Sequence, residues 1–259
     1  MKVAIITGAS SGIGEEFVRE LKRRGLADRF WLIARRTERM EMLRDKLGLD
    51  AKIISADLTS EAGLDRIREE LEREKPEVSY LVNAAGFGNF GKFDEMPNSD
   101  AMRMIDLNVK ATVAITNMTV PYIVRGGHVI ELGSGSCFTP LYAFNVYAAS
   151  KAFVLHYSKA LYYELREYGI SVTCFCPGWV DTEFLGKATE RADVTRPKKM
   201  KPLLRADKVV RGCVRAAERG RKMYVTNWFT KLQHVLFKIL PDGILSRAWI
   251  KMQKKREEK

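Results

Sequence analysis

Residues 2–14 read Lys-Val-Ala-Ile-Ile-Thr-Gly-Ala-Ser-Ser-Gly-Ile-Gly. Residues 2–6 are a short apolar run of strand type, Gly8, Gly12 and Gly14 punctuate the next eight residues, and Phe17, Val18 and Leu21 then recur at helical spacing through Arg24. Strand, glycine turn and helix in that order suit one task. The glycines permit a tight turn and let a pyrophosphate approach backbone N–H groups at the positive end of the helix. Ser10, Ser11 and Ile13 fill the other places in the loop.

Working outward, residues 29–34 read as a second strand running into Arg35-Arg36. A protein selective for NAD(H) places an acid there for the ribose hydroxyls, whereas an arginine pair suits a 2′-phosphate and argues for NADP(H). The same arginines would also serve as solvated residues opening a helix over 38–47. Alternation then continues: a strand over 51–56 ending in Asp57-Leu58, a charged helix over 60–74, and a strand over 78–82 ending in Asn83-Ala84-Ala85-Gly86. Pro97 and Asn98 precede a helix predicted over 100–124, with Asn108 in its middle. A strand over 128–132, a loop with Ser134, a helix over 147–167 and a strand over 171–176 come next. This rhythm predicts an α/β fold, one doubly wound parallel sheet with helices on both faces and ligand at the carboxyl ends of the strands.

Tyr147 and Lys151 lie four residues apart, so on a helix both leave one face a turn apart and can act on one substrate atom. A free tyrosine, with a pKa of about 10, is a poor proton shuttle at neutral pH. Lys151 is the neighbouring cation expected to stabilise its phenolate, at roughly 1.4 kcal/mol per unit of lowering.

The chain's 259 residues, 46% hydrophobic, fit one large core. No signal peptide, bilayer span or metal-ligand cluster is read from the sequence. Cys137, Cys174, Cys176 and Cys213 form no C-x-x-C pair and read as reduced thiols of a cytoplasmic protein. The net charge of +12 is unevenly placed: residues 196–259 hold 19 Lys/Arg against 5 Asp/Glu, which leaves residues 1–195 at −2.

Taken together, Thr7-Gly8-x-x-x-Gly12-x-Gly14, Asp57-Leu58, Asn83-Ala84-Ala85-Gly86, Asn108, Ser134, Tyr147, Lys151 and Pro177-Gly178 leading to Thr182 make the sequence resemble a short-chain dehydrogenase/reductase over residues 2–226. The resemblance implies a single Rossmann-type catalytic domain over 1–226, with a substrate lid near 178–205; residues 227–259, the least family-like part, read from their own pattern as a basic, amphipathic helical extension. It implies that Gly8, Ser10, Ser11, Gly12, Ile13 and Gly14 hold the pyrophosphate and adenosine ribose, and that Asp57 and Leu58 touch the adenine. Asn83, Ala84 and Gly86 would support the middle of the cofactor, and Pro177, Gly178, Val180 and Thr182 would meet the nicotinamide end. Arg35 and Arg36 would take the 2′-phosphate, although the loop has Ser10-Ser11 where some NADP-using members carry a base. Tyr147 would be the general acid, Ser134 would fix the carbonyl oxygen, and Lys151 would also bind the nicotinamide ribose. Asn108 would hold a water that renews the proton.

The implied activity is an NADP(H)-dependent transfer of hydride to or from a carbonyl or alcohol carbon. Phe87, Phe90, Phe93, Cys137, Phe138, Leu141, Tyr142, Phe144, Trp179, Phe184 and Leu185 crowd the loops that would border the cleft, which suggests an apolar substrate such as a steroid-like or acyl carbonyl; several of them would alternatively pack a lid or a subunit contact. Ser136 is a second hydroxyl in the Ser134 loop. Arg191, Asp193, Arg196, Lys198, Lys199 and Lys201, with few apolar anchors, suggest a mobile lid. Apolar residues recur at helical spacing before and after Pro241-Asp242-Gly243, and the chain then reaches Lys254-Lys255-Arg256. These helices would pack on the protein, lie peripherally on an anionic membrane, or form a solvated tail. A homodimer or homotetramer is the family's habit. The alternative function is an NADPH-binding interaction or sensor protein that uses this tail. Nucleic acid is not an expected partner, because the tail's aromatics sit on its apolar face.

Overall fold

A computed structural model describes residues 1–190 and 202–254. The charged stretch at 191–201, to which the lid expectation was attached, and Lys255-Arg256 lie outside the described residues. The elements run β1 (Lys2–Thr7), α1 (Gly12–Arg23), β2 (Arg29–Ala34), α2 (Thr37–Leu47), β3 (Ala51–Ser55), α3 (Glu61–Glu74), β4 (Glu77–Asn83), α4 (Asn98–Ile105) and α5 (Ala111–Thr119). They continue with β5 (Ile123–Leu132), α6 (Asn145–Glu164), β6 (Ser171–Cys176), β7 (Val180–Asp181), α7 (Glu183–Ala188), β8 (Leu204–Arg205), α8 (Ala206–Glu218), β9 (Met223–Val225), α9 (Trp228–Ile239) and α10 (Asp242–Lys254).

Seven strands form one parallel sheet in the order β3-β2-β1-β4-β5-β6-β9. Its strands are near-continuous apolar runs because both faces are covered. Ala4, Ile6, Leu32 and Val82 pack with Phe17 and Leu21 of α1 and Val210 and Val214 of α8. Val3, Ile5, Trp31 and Ile33 pack on the opposite face with Leu64 and Ile67 of α3 and Ile115 of α5. Fully burying one such side chain contributes roughly 2 kcal/mol. The chain winds outward from β1 through β2 and β3, then crosses to β4 and winds the other way. A crevice therefore opens between the carboxyl ends of β1 and β4, where a doubly wound sheet binds its ligand.

One expectation is corrected. The helix predicted over 100–124 is broken: α4 passes through a π-helical turn, Asp106–Lys110, into α5, which gives way to a 3-10 turn at Val120–Tyr122. Pro121 lacks an amide hydrogen and its ring disfavours a continuing helix, so the chain leaves helical geometry there. β5 accordingly begins at Ile123, earlier than expected. It pairs first as Val78↔Ile123 and resumes as Tyr80↔His128, with residues 124–127 outside the ladder and Gly126 at φ 85°.

Candidate active site

A cleft of ≈ 630 Å³ runs along the carboxyl ends of the strands, within the size range of a small-molecule site. The glycine loop forms its floor. Gly8 (φ 67°) closes on Ala84 and Ala85, where a Cβ would fall 2.8 Å from the Ala85 nitrogen. Gly14 is tighter still, since a Cβ there would lie 2.3 Å from the carbonyl oxygen of Gly8. Bare backbone at both places lets α1 start directly beneath the crevice and direct its unsatisfied N–H groups into it. Shape and polarity therefore fit a dinucleotide pyrophosphate.

At one end of the cleft, Arg36 is held in place rather than left solvated. Its guanidinium donates to Ser10 Oγ (3.3 Å), Ser11 Oγ (2.6 Å) and Glu183 Oε2 (2.9 Å), and Arg39 also pairs with Glu183. Hydrogen bonds from Arg39 and Arg36 hold the Glu183 carboxyl down at about 2. Arg35 is exposed on the same rim, beside Asp57 and Leu58. The Asp57 carboxylate accepts from the Thr59 amide (3.0 Å) and hydroxyl (2.8 Å); the amide bond and then the hydroxyl bond, with Arg35 adding attraction, hold its pKa below the ordinary value.

At the other end, α6 carries Tyr147 and Lys151 on one face, as their spacing predicts, and both line the cleft with Ser134. Tyr147 is buried among aromatics: its ring stacks on Phe144 (4.3 Å between centroids) and meets Phe184 (5.6 Å). Gly88 abuts the same ring, where a Cβ would fall 2.6 Å from Tyr147 Cδ2. This glycine was not singled out from the sequence, although its place in Gly86-Phe87-Gly88 offered a signal.

The expected acidification of Tyr147 is not found. Burial pushes the phenol above its ordinary value, and a hydrogen bond with Ser134 opposes that rise. Lys151 does not offset it, because its ammonium donates to the carbonyl of Leu132 (2.7 Å) and stands 5.8 Å from the centre of the Tyr147 ring. Burial brings Lys151 itself down to about 8.

Asn108 sits fully buried in the π-helical turn, where an inserted residue re-aims the side chain. Its amide donates to the Phe87 carbonyl (2.9 Å) and Ser150 Oγ (3.0 Å), and its Oδ1 accepts from the Phe87 amide (3.1 Å). A Cβ at Gly86 would lie 2.9 Å from Asn108 Oδ1 and 3.4 Å from Lys151 Nζ. Asn108 therefore works from beneath the site, pinning the β4 loop against α6.

Asn83 does not reach the cleft. Its amide is committed to Thr116 Oγ1 (2.9 Å) and Glu131 Oε1 (3.1 Å), and Thr116 also donates to Glu131 (2.7 Å). Direct contact of Asn83 with a cofactor is thus replaced by a supporting role behind Ala84. Glu131 was missed in the sequence. It is fully buried, its second oxygen has no partner, and burial raises it to about 7.

That acid has a measurable consequence. In the unfolded chain it titrates near 4.5. A folded pKa of about 7 means stability is lost as pH rises from about 4.5 to about 7, by roughly 3 kcal/mol in all. Glu131→Gln keeps an acceptor for Thr116 and Asn83 but cannot ionise. Melting temperatures taken across this window should fall for the native chain relative to the variant as pH rises; parallel curves would contradict the assignment.

Of the expected apolar wall, Phe87, Leu141, Phe144, Trp179, Phe184 and Leu185 line the cleft, together with Val180, Thr182 and Pro177-Gly178. Phe93 is 85% exposed, and Phe90 stacks behind Phe144 (4.0 Å). Phe138 turns away onto His234 of α9 (4.0 Å). Ser136 lines the cleft beside Ser134 and gives its amide to Ser134 Oγ (3.1 Å). Thr230, Phe237 and Trp249 of the C-terminal helices complete the rim. Behind the Ser134 loop, Cys176 Sγ lies 3.8 Å from Cys137 Sγ and 3.6 Å from Cys174 Sγ, all as buried free thiols. No cluster able to hold a metal ion occurs among the described residues.

The sequence model of one protein family, described as short chain dehydrogenase, matches residues 2–193. An uncharacterized oxidoreductase of Staphylococcus epidermidis is 34% identical over 211 residues, covering 81% of this chain and 89% of that protein. Mouse 17-beta-hydroxysteroid dehydrogenase type 3 is 32% identical over 202 residues, covering 73% of this chain and 65% of that one. Among solved structures, a short-chain dehydrogenase from Sphingobium yanoikuyae in complex with NADPH superposes with a TM-score of 0.78 at 28% identity, over 95% of both chains.

Proposed function

This chain belongs to the short-chain dehydrogenase family, and we propose that it is an NADPH-dependent reductase of a bulky, apolar ketone or aldehyde. The observation that carries the reading is the meeting of Ser134, Tyr147 and Lys151 at the end of a cleft that has an aromatic wall beside them and a tethered arginine at its far end. When bound, the dinucleotide supplies a hydride from C4 of its nicotinamide. The carbonyl oxygen gains negative charge as its carbon is reduced. Tyr147 gives that oxygen its phenolic proton, and the Ser134 hydroxyl donates a hydrogen bond that fixes it. Lys151, on the same face of α6, would add positive charge to the site as the phenolate forms and would hold a ribose hydroxyl. The NADPH-bound neighbour and the steroid dehydrogenase relative support this reading of cofactor and substrate class.

Arg36, with Arg35 beside it, would take the 2′-phosphate. A charge-assisted hydrogen bond contributes about 1.5–3 kcal/mol, so replacing both arginines by alanine should raise KM for NADPH about tenfold to a hundredfold. KM for NADH should hardly change, and an equal loss for both would remove the arginines from cofactor choice. The activity itself is tested by following NADPH oxidation at about 340 nm against steroid-like, aromatic and acyl carbonyls, where the aromatic wall favours the bulky ketones. Tight NADPH binding without turnover of any of them would point to a binding protein instead.

A further inference from the structure

The helix α9 has two apolar faces. Thr230 and Phe237 lie on the inner one and line the cleft, with Thr230 packed against Gly135 and Gly178. Leu232, Val235, Leu236 and Ile239 lie on the other, within an arc of about 100°. That second face is open to solvent, Ile239 being 71% and Val235 50% exposed, and Ile244 near the start of α10 is exposed as well. A soluble chain has no reason of its own to hold such a stripe in water, so it marks a contact.

Charge indicates the partner. Across α9 and α10 there are five Lys/Arg and a single acid, Asp242, and Lys231, Arg247 and Lys251 are exposed. A two-fold contact with a second copy would set this basic face against itself. Residues 1–195 carry a net charge of only −2, so the chain's own bulk gives this basic face little overall attraction. An apolar stripe edged by bases matches an anionic bilayer, where lipid tails accept the stripe and headgroups meet the lysines and arginines. Trp249, on α10, both lines the cleft and donates its indole N–H to the carbonyl of Tyr142 (3.1 Å), so these helices are fixed to the cleft rim.

We infer that α9 and α10 dock the protein on an anionic membrane surface, with the Leu232–Ile239 stripe entering the lipid and the cleft mouth held at the interface. The inference does not depend on the proposed chemistry, because its test reads binding without turnover. The full chain is floated with vesicles of phosphatidylcholine alone or mixed with phosphatidylglycerol, at about 0.05 M and about 0.5 M salt. It should float with the anionic vesicles at low salt and lose at least tenfold in bound fraction at high salt, on phosphatidylcholine alone, or in the variant Leu232→Ser/Ile239→Ser. Both positions are exposed, so the variant should keep its melting temperature. No flotation, or flotation indifferent to salt and to the variant, overturns the inference. So does a variant whose only change is a smaller mass by light scattering, which would make the stripe a contact between copies.

Discussion

Tyr147→Phe is expected to lower kcat for carbonyl reduction by about a thousandfold while leaving NADPH affinity within about threefold of the native value. The variant removes one oxygen and keeps the ring, whose seat between Phe144 and Gly88 does not involve the hydroxyl. The fold should therefore persist. What is lost is the proton delivered to the carbonyl oxygen and the hydrogen bond exchanged with Ser134. Because both act on the developing oxyanion, the loss should fall on kcat rather than on KM. Stopped-flow measurement of single turnovers separates chemistry from release. A variant that retains native single-turnover rates would mean that another group protonates the product.

Gly14→Ala should do comparable damage by a different route, raising the Kd for NADPH at least about a hundredfold and destabilising the chain by about 3 kcal/mol. The new methyl would sit 2.3 Å from the Gly8 carbonyl oxygen and 2.7 Å from its carbon, and both are backbone. No rotamer relieves such a clash. Either α1 moves off the sheet or the glycine loop opens, and each withdraws the amides that face the crevice. Gly186, with nothing within 4 Å of its hypothetical Cβ, supplies the control: Gly186→Ala should bind NADPH and melt like the native chain. Fluorescence titration with NADPH and a melting curve on each variant check both. A Gly14→Ala chain with native affinity would show that the loop does not form the cofactor floor.

The parts of the fold that were legible in the sequence are those set by short-range patterns. A strand, a glycine turn and a helix succeed one another within residues 2–23, and the period of a helix puts Tyr147 and Lys151 on one face without any knowledge of what packs there. The glycine spacing could be read because the clash it avoids, Gly14 against Gly8, is local.

What escaped depends on residues far apart in the chain. Asn83 reads as a cofactor contact until Glu131 and Thr116, brought in from β5 and α5, are seen to occupy its amide. The sole acid within the apolar strand segment His128 to Leu132 was a signal for a buried carboxyl, but nothing local says what would pair with it. The proton affinity of Tyr147 was misjudged for a related reason: sequence spacing gives the neighbouring charge, whereas burial by Phe144 and Phe184 is decided by loops that fold onto α6. The C-terminal helices were recognised as amphipathic, yet only the packing of Thr230 on Gly135 and Gly178 distinguishes the face that covers the cleft from the one left open.

The central claim is that this cleft passes a hydride from the dinucleotide to a carbonyl carbon seated beside Tyr147. NADPH carrying deuterium on one face of C4, incubated with the full chain and a bulky aryl ketone, tests it when the alcohol is analysed by mass spectrometry. Deuterium on the carbinol carbon, from one face of the nicotinamide only and giving one enantiomer, is the predicted result. NADPH that binds tightly while no ketone or aldehyde acquires the label would contradict it.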